Sequence, residues 1–294
     1  MNNNKPTIVA LGEVLWDMLP GGKKIGGAPL NFACHATQLG CKGVMVSSID
    51  NDALGDELLE GIAPIGVELS FVQRSDRPTS KVDVVVDSQG TPQYIINEGV
   101  AWDHILFTPE MDALAQKADA VCWGSLAARN RTSRATIIRF VESTKEECLK
   151  VFDINIRQHY YDREFIEWSL HRADVLKLND DELPLLQEYY SLVGQPIEQC
   201  KELLKLFGLR YVVYTCGSKE SVVVGAEKIS RIDTPKVEVV DTVGAGDSFT
   251  AAFVSGLVNG RTIADSHRHA VELAAYVCSQ RGATPQIPEF LRER

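Results

Sequence analysis

Basic residues are in short supply: 30 Lys and Arg stand against 40 Asp and Glu, a net charge of −10 with a pI near 5.2. Nucleic-acid binding leans on clustered Lys and Arg, so this balance argues against a DNA or RNA partner. No apolar run approaches the ~20 residues that a helix needs to cross a bilayer. Met1-Asn-Asn-Asn-Lys-Pro6 leads into no apolar stretch of the secretory kind. A cytoplasmic protein without a membrane partner is expected. The seven cysteines, at 34, 41, 122, 148, 200, 216 and 278, form no C-x-x-C pair, which leaves a zinc ribbon or a thioredoxin motif unsupported. Most lie in apolar runs and read as buried thiols of a reducing compartment. Histidine is scarce too, and His267 and His269, two apart in a helical pattern, read as solvated residues. Neither common nucleotide fingerprint is present. The nearest approach to a P-loop is Gly217-Ser-Lys-Glu220, and Phe249 stands where G-x-G-x-x-G needs its third glycine.

What is present is an ordinary globular composition, 45% hydrophobic and 24% charged over 294 residues. No linker, repeat or low-complexity segment divides it, so one domain spanning 1–294 is expected. Short apolar runs alternate with helical patterns. Strands are expected at Ile8–Gly12, Val44–Ile49, Val121–Gly124, Val151–Asn155, Val175–Asn179, Tyr211–Thr215 and Ser221–Val224. Helices are expected at Leu30–Leu39, Leu54–Ile65, Glu110–Lys117, Arg134–Thr144, Glu164–Arg172, Ile197–Phe207, Ala245–Asn259 and Ile263–Arg281. Continuously apolar early strands suit a parallel sheet covered on both faces, and the alternation predicts an α/β fold of βαβ units. The rhythm breaks between Phe71 and Trp102. There Lys81–Asp87 and Gln93–Asn97 read as antiparallel strands turned at Asp87-Ser-Gln-Gly90, joined by a piece from Val14 to Ile25 in a small half-exposed sheet.

The most informative stretch is Asp241-Thr-Val-Gly-Ala-Gly-Asp247, at the mouth of a helix of small residues. Gly244 and Gly246 allow a tight turn that bares N–H groups, and the helix beginning near Ala245 turns its positive end to the same place. Together they favour an anion, phosphate above all. Asp247 would repel such a ligand unless it has a task, and the natural task is taking a proton from an attacking hydroxyl. The plainer alternative is a tight turn with an Asp compensating the helix dipole.

The same stretch resembles the C-terminal signature of the ribokinase/fructokinase family of carbohydrate kinases. Gly26-Gly-Ala-Pro-Leu-Asn-Phe-Ala33 resembles its N-terminal signature, and the likeness runs from about Thr7 to Pro288, closest to the bacterial fructokinases. It implies a ribokinase-like three-layer α/β/α sandwich with a mostly parallel central sheet and a small β-sheet lid, made within about 14–25 and 71–102. The lid would cover the sugar and form the contact of a homodimer. The implied reaction is ATP-dependent phosphorylation of a primary sugar hydroxyl, most naturally D-fructose to fructose 6-phosphate. Ribose, 2-keto-3-deoxygluconate or a nucleoside are the other family substrates, and a sugar sensor without chemistry is a further alternative.

Residue by residue, the likeness makes Asp247 the base, with Gly244, Ala245 and Gly246 as its anion cradle. Asp17, Gly27 and Asn31 would hold sugar hydroxyls, although Asp17 also reads as a loop residue in water and Asn31 as a helix N-cap. Asp153-Ile-Asn-Ile-Arg157 resembles the fructokinase Asp-x-Asn-x-Arg segment, with Ile154 where proline is usual. Arg157 would clamp sugar or phosphate, or else lie solvated at a strand end. Gly124-Ser125 followed by Arg129 points the same way. Asn179 and Glu182 match an Asn-x-x-Glu element that helps hold Mg²⁺ through water, a spacing that is equally a capping box. Thr215 and Gly217 would follow the nucleotide, and Gly282 the adenine, unless Gly282 is only a helix C-cap. A monovalent cation, K⁺, is implied beside Asp241.

Overall fold

The computed structural model describes residues 5–19, 21–86 and 92–292. The chain opens with β1 (Thr7–Leu11), β2 (Leu15–Leu19), β3 (Gly22–Gly26), α1 (Ala28–Gln38), β4 (Lys42–Asp50) and α2 (Ala53–Ile62). It continues through β5 (Val72–Ser75), β6 (Lys81–Val86), β7 (Pro92–Ile96), α3 (Pro109–Ala115), β8 (Ala120–Trp123), α4 (Arg131–Glu142), β9 (Leu149–Asp153) and α5 (Arg163–Arg172). The remainder is β10 (Val175–Asn179), α6 (Leu183–Tyr190), α7 (Pro196–Phe207), β11 (Tyr211–Thr215), β12 (Glu220–Gly225) and β13 (Ile229–Asp233). Three helices close it: α8 (Ala245–Val258), α9 (Ile263–Cys278) and α10 (Glu289–Arg292).

A nine-stranded sheet has the order β13-β12-β11-β10-β9-β8-β1-β4-β5 and is parallel except for β12, which is antiparallel to both β11 and β13. Its inner strands are buried on both faces. Ile8, Ala10, Cys122, Val151 and Val175 pack with α1, α8 and α9, while Val9, Leu11, Trp123, Phe152 and Leu176 pack with α4, α5 and α7. That two-sided burial is why these strands carry no polar alternation. Helix starts are set by side-chain caps. Asp52 accepts the Gly55 N–H at 2.7 Å, Asp162 that of Phe165 at 2.8 Å, and Thr262 that of Asp265 at 3.1 Å. The expected α/β sandwich is therefore present, with a ribokinase-like arrangement of helices on both sides.

A second sheet, β3-β2-β6-β7, stands apart. Its β6 and β7 are antiparallel as expected, while the turn expected at 87–90 lies outside the described residues. Not every residue of 71–102 belongs to this sheet. β5 pairs with β4 at the edge of the large sheet, and Val100, Ala101 and Trp102 are buried in the main core. Only backbone pairing defines β5, whose four residues bury no strong apolar pattern. His267 and His269 are not solvated but buried. His267 lies between the Ser221 and Ser230 hydroxyls at 2.8 and 2.7 Å, and His269 reaches the Leu291 carbonyl at 2.7 Å. Strand β13 and the C-terminal segment cover the side of α9 that a bare helix would have exposed.

Candidate active site

Gly244 caps α8 in a left-handed conformation, φ 79°, with the Ala283 carbonyl where a Cβ would sit, so glycine is required on both counts. The N–H groups of Gly246 and Asp247 find no carbonyl partner among the described residues, and Ala245 N–H makes only a 3.3 Å turn contact to Thr242. Unpaired first-turn donors are what an anion site requires. The Asp247 carboxylate, partly buried in that turn, accepts a 2.8 Å hydrogen bond from Asn31 Nδ2. Burial raises its pKa to about 6; the Asn31 bond lowers it, Asp153 adds to the rise, and Lys177 and Arg157 pull it down.

Beneath this turn lies a charge pair that motif reading passed over. Lys177 points from β10 toward Gly246, where a Cβ would stand 3.4 Å from its Nζ, and it pairs with Asp153 Oδ1 at 3.2 Å. Asp153 Oδ2 accepts the Thr250 hydroxyl of α8 at 2.9 Å. Burial opposes the Lys177 charge, but Asp153, Glu182 and Asp247 outweigh it and raise its pKa. A lone Lys inside the apolar run Val175–Leu178 was the available signal, since a buried ammonium demands a counter-charge. Glu13, 3% exposed just after β1, was likewise missed. Burial lifts its pKa to about 7; hydrogen bonds from its own and the Ala28 N–H and the charge of Arg157 pull down, and Asp247 pushes up.

One face of α1 braces the site. Asn31, His35 and Gln38, at i, i+4 and i+7, bond in turn to Asp247, to the Ala283 carbonyl (2.9 Å) and to the Pro285 carbonyl (3.1 Å). Gln38 also accepts the Ile287 N–H at 2.8 Å. Asn31 lies inside the helix, whose N-cap is Gly27, so it does not serve as the cap. Gly27 takes φ 113° with the Glu13 carbonyl against its α-carbon, which draws the β1 end onto the start of α1. Asp241 Oδ2 accepts the Gly282 N–H at 3.1 Å and Oδ1 that of Val243 at 3.1 Å. Gly282 lies beyond the end of α9, whose C-cap is Ser279, so the C-cap alternative does not hold.

Asp17 sits on β2 beside Gly26, where an added Cβ would be 2.5 Å from its Oδ2. Burial raises its pKa, and Lys24 across the ladder moderates the rise. Arg157 is exposed, in a loop where Asn155 and Gln158 take positive φ of 44° and 51°. Asn179 and Glu182 do form a reciprocal box: Asn179 Oδ1 accepts the Glu182 N–H at 2.9 Å, and Glu182 Oε2 the Asn179 N–H at 2.8 Å. The other oxygen of Glu182 accepts the Ile156 N–H at 2.9 Å, tying this turn to the Asp153–Arg157 segment. Arg129 lies away from that turn, paired with buried Asp103 at 2.7 Å and stacked on Trp102. Thr215 is beside Asn179 in the β10–β11 ladder, and Gly217 lies in the turn beyond, its carbonyl bonded to Thr234. Among the described residues no hydrogen bond joins either of them to the Asp247 group.

Thus Asn31, Gly244, Gly246, Asp247, Asp241 and Gly282 converge on one corner of the large sheet, at the carboxyl ends of its parallel strands. Residues 18–289 match the pfkB family carbohydrate kinases. The chain belongs to that family. It is 30% identical to the ATP-dependent 6-phosphofructokinase of Thermoanaerobacterium thermosaccharolyticum, over 98% of this chain and 93% of the relative. A probable fructokinase of Arabidopsis thaliana is 27% identical, over 97% and 95%. A Vibrio cholerae fructokinase variant, crystallised with fructose, ADP and a potassium ion, shares the fold with a TM-score of 0.83 at 20% identity, over 100% and 99% of the two chains. Among the described residues no helix is long and apolar enough to cross a membrane.

Proposed function

We propose that this carbohydrate kinase transfers the γ-phosphoryl group of ATP to a primary hydroxyl of a hexose, with fructose as substrate. The observation carrying this reading is the Asp247 carboxylate, held by Asn31 in the same helical turn as unpaired N–H groups of Gly246 and Asp247. In this reading Asp247 takes the hydroxyl proton, and the N–H groups from Gly244 to Asp247 receive the phosphoryl charge. Such transfer asks for positioning and electrostatics rather than covalent help. Asp17, Gly27, Asn31 and Arg157 are assigned to the sugar. Thr215, Gly217 and Gly282 are assigned to the nucleotide.

Among the described residues no group of three or more His, Cys, Asp or Glu is disposed to hold a metal. Both Glu182 oxygens already accept N–H groups, which suits contact to Mg²⁺ through water rather than direct ligation. When bound, Mg²⁺ would offset phosphate charge, with Asn179 and Glu182 near its water shell. The role of Glu182 in this chain is then chiefly to fix the Asn179 turn and the Ile156 loop.

A second reading, phosphorylation of a sugar phosphate, is favoured by the 6-phosphofructokinase relative. It needs a cation free for the substrate phosphate. Lys177 is committed to Asp153, Lys24 to Asp241 and Arg129 to Asp103. Arg157, near Asp247 but exposed, remains as a single solvent-screened candidate, and neutral fructose is therefore the primary assignment. The test is ADP release from Mg-ATP with fructose, fructose 6-phosphate, ribose and 2-keto-3-deoxygluconate in turn. Preference for fructose 6-phosphate would give Arg157 to a phosphate. Sugar binding with no turnover on any of them would make the protein a sensor.

A further inference from the structure

A bound monovalent cation beside Asp241 is what the likeness to the ribokinase/fructokinase family implies, and the Vibrio cholerae relative was crystallised with potassium. The surroundings of Asp241 do not fit such an ion. Both its oxygens already accept N–H groups, from Val243 and Gly282, and Lys24 brings its ammonium to 3.5 Å from Oδ2. Two amide donors and one full positive charge satisfy the carboxylate, and a second cation in that place would be repelled by the first.

The strand that carries Lys24 is anchored. On the far face of this strand and its ladder partner β2, Trp16 Nε1 of β2 donates to the Leu54 carbonyl at 3.0 Å, Lys23 pairs with Glu57, and Ile25 packs against Gly61 of α2. Strand alternation turns Lys24 away from Lys23 and Ile25, toward Asp241. The Asp241 carboxylate in turn holds Val243 and Gly282, the segments on either side of Gly244.

We propose that Lys24 is a built-in counter-cation for Asp241, standing in place of a bound monovalent ion beside the first turn of α8. A lysine ammonium is a compact point charge on a flexible stem, which suits that substitution. Lys24 is a positioning residue: it keeps Asp241 charged and ordered, and Asp241 keeps the donor-bearing turn in shape. The proposal rests on reading that turn as the phosphoryl-transfer site.

The test compares the whole protein with Lys24→Met and Lys24→Arg in tetramethylammonium buffer, with and without KCl at constant ionic strength. Wild-type kcat/KM for ATP should change less than about twofold on adding K⁺, the least that an exposed pair is worth. Lys24→Met should lose up to about fivefold, the upper end for a pair whose lysine is 46% exposed. K⁺ should restore it, and Lys24→Arg should need no rescue. Independently of turnover, K⁺ should raise the melting temperature of Lys24→Met and leave the wild type unmoved. Wild-type stimulation by K⁺ of tenfold or so, well beyond the reach of an exposed pair, would overturn the proposal. So would a loss in Lys24→Met that K⁺ does not repair, which would make Lys24 a ligand of the substrate phosphates. If the wild type phosphorylates no sugar, the kinase reading fails, while the melting comparison still decides the role of Lys24.

Discussion

Asp247→Asn should produce an enzyme that is more stable and nearly inactive. The ionised carboxylate sits partly buried with Asp153 nearby, so its pKa rises from the ordinary 3.8 to about 6. Between those values the folded chain holds a proton that the unfolded chain has released. The stabilisation associated with Asp247 is therefore complete below pH 3.8 and is lost as pH rises through about 6. At neutral pH the ionised group costs up to about 3 kcal/mol, the difference between the two values at 1.36 kcal/mol each. Asparagine fills the same space without the charge. The variant should gain a large part of that figure in urea denaturation at pH 8 and little at pH 4. Loss of a general base should meanwhile lower kcat by about 10²–10⁴-fold. A stability gain of equal size at both pH values would refute the electrostatic reasoning, and an unchanged kcat would remove Asp247 as the base.

Asn31→Leu deletes a charge-assisted hydrogen bond to that carboxylate, worth about 1.5–3 kcal/mol, so the acid limb of the kcat/KM profile should move up by about one pH unit or more. A limb that stays near 6 would show that the bond does not tune the base. Lys177→Met leaves Asp153 buried without its partner and should destabilise by about 3–5 kcal/mol in urea denaturation; Lys177→Met with Asp153→Asn should recover a large share, and additive losses would contradict the pairing. Burial holds His35 down to about 4, so its contribution is present above the ordinary 6.5 and is lost as pH falls toward 4. His35→Leu should flatten that acid-side loss in thermal melts and raise the KM for ATP more than that for sugar; an equal rise in both would place His35 outside the nucleotide side.

What could be read from the chain alone was whatever local chemistry announces. Asp241–Asp247 carries its meaning in glycines and a carboxylate within seven residues, and the parallel strands betray themselves by unbroken apolar runs. The reciprocal Asn179–Glu182 box was legible from spacing, although spacing could not show that Glu182 also ties down Ile156. The misses have a common cause. β5 exists because β4 offers an open edge, and Val72-Gln-Arg-Ser75 has no pattern of its own. α6 is eight residues with Pro184 in its first turn, a length at which periodicity says little. Lys177, Glu13 and His35 matter through partners 24 to 248 residues away or through burial alone. His267 and His269 looked solvated because the serines and the tail that cover them are remote in sequence.

The placement of Asp247 shows why this corner needs so many remote contacts. A carboxylate beside an anion cradle is unfavourable twice over, in its own desolvation and in its repulsion of the ligand. The fold meets the first problem with a donor from α1 and the second with Lys177, buried under Gly246 and tied to Asp153. Neither device works if α8 can shift relative to the sheet, and the Thr250–Asp153 bond pins the helix to β9 one turn below Asp247. α1 then acts as a ruler. Its side chains at 31, 35 and 38 set Asp247, the Ala283 carbonyl behind Gly244, and the chain leading out to Ile287 along one helical face. A shift of α1 would therefore move Asp247 and the loop beside Gly244 together. Under the proposed function, that coupling would keep the proton acceptor in register with the amides that receive the phosphoryl charge, a condition that neither signature could secure alone.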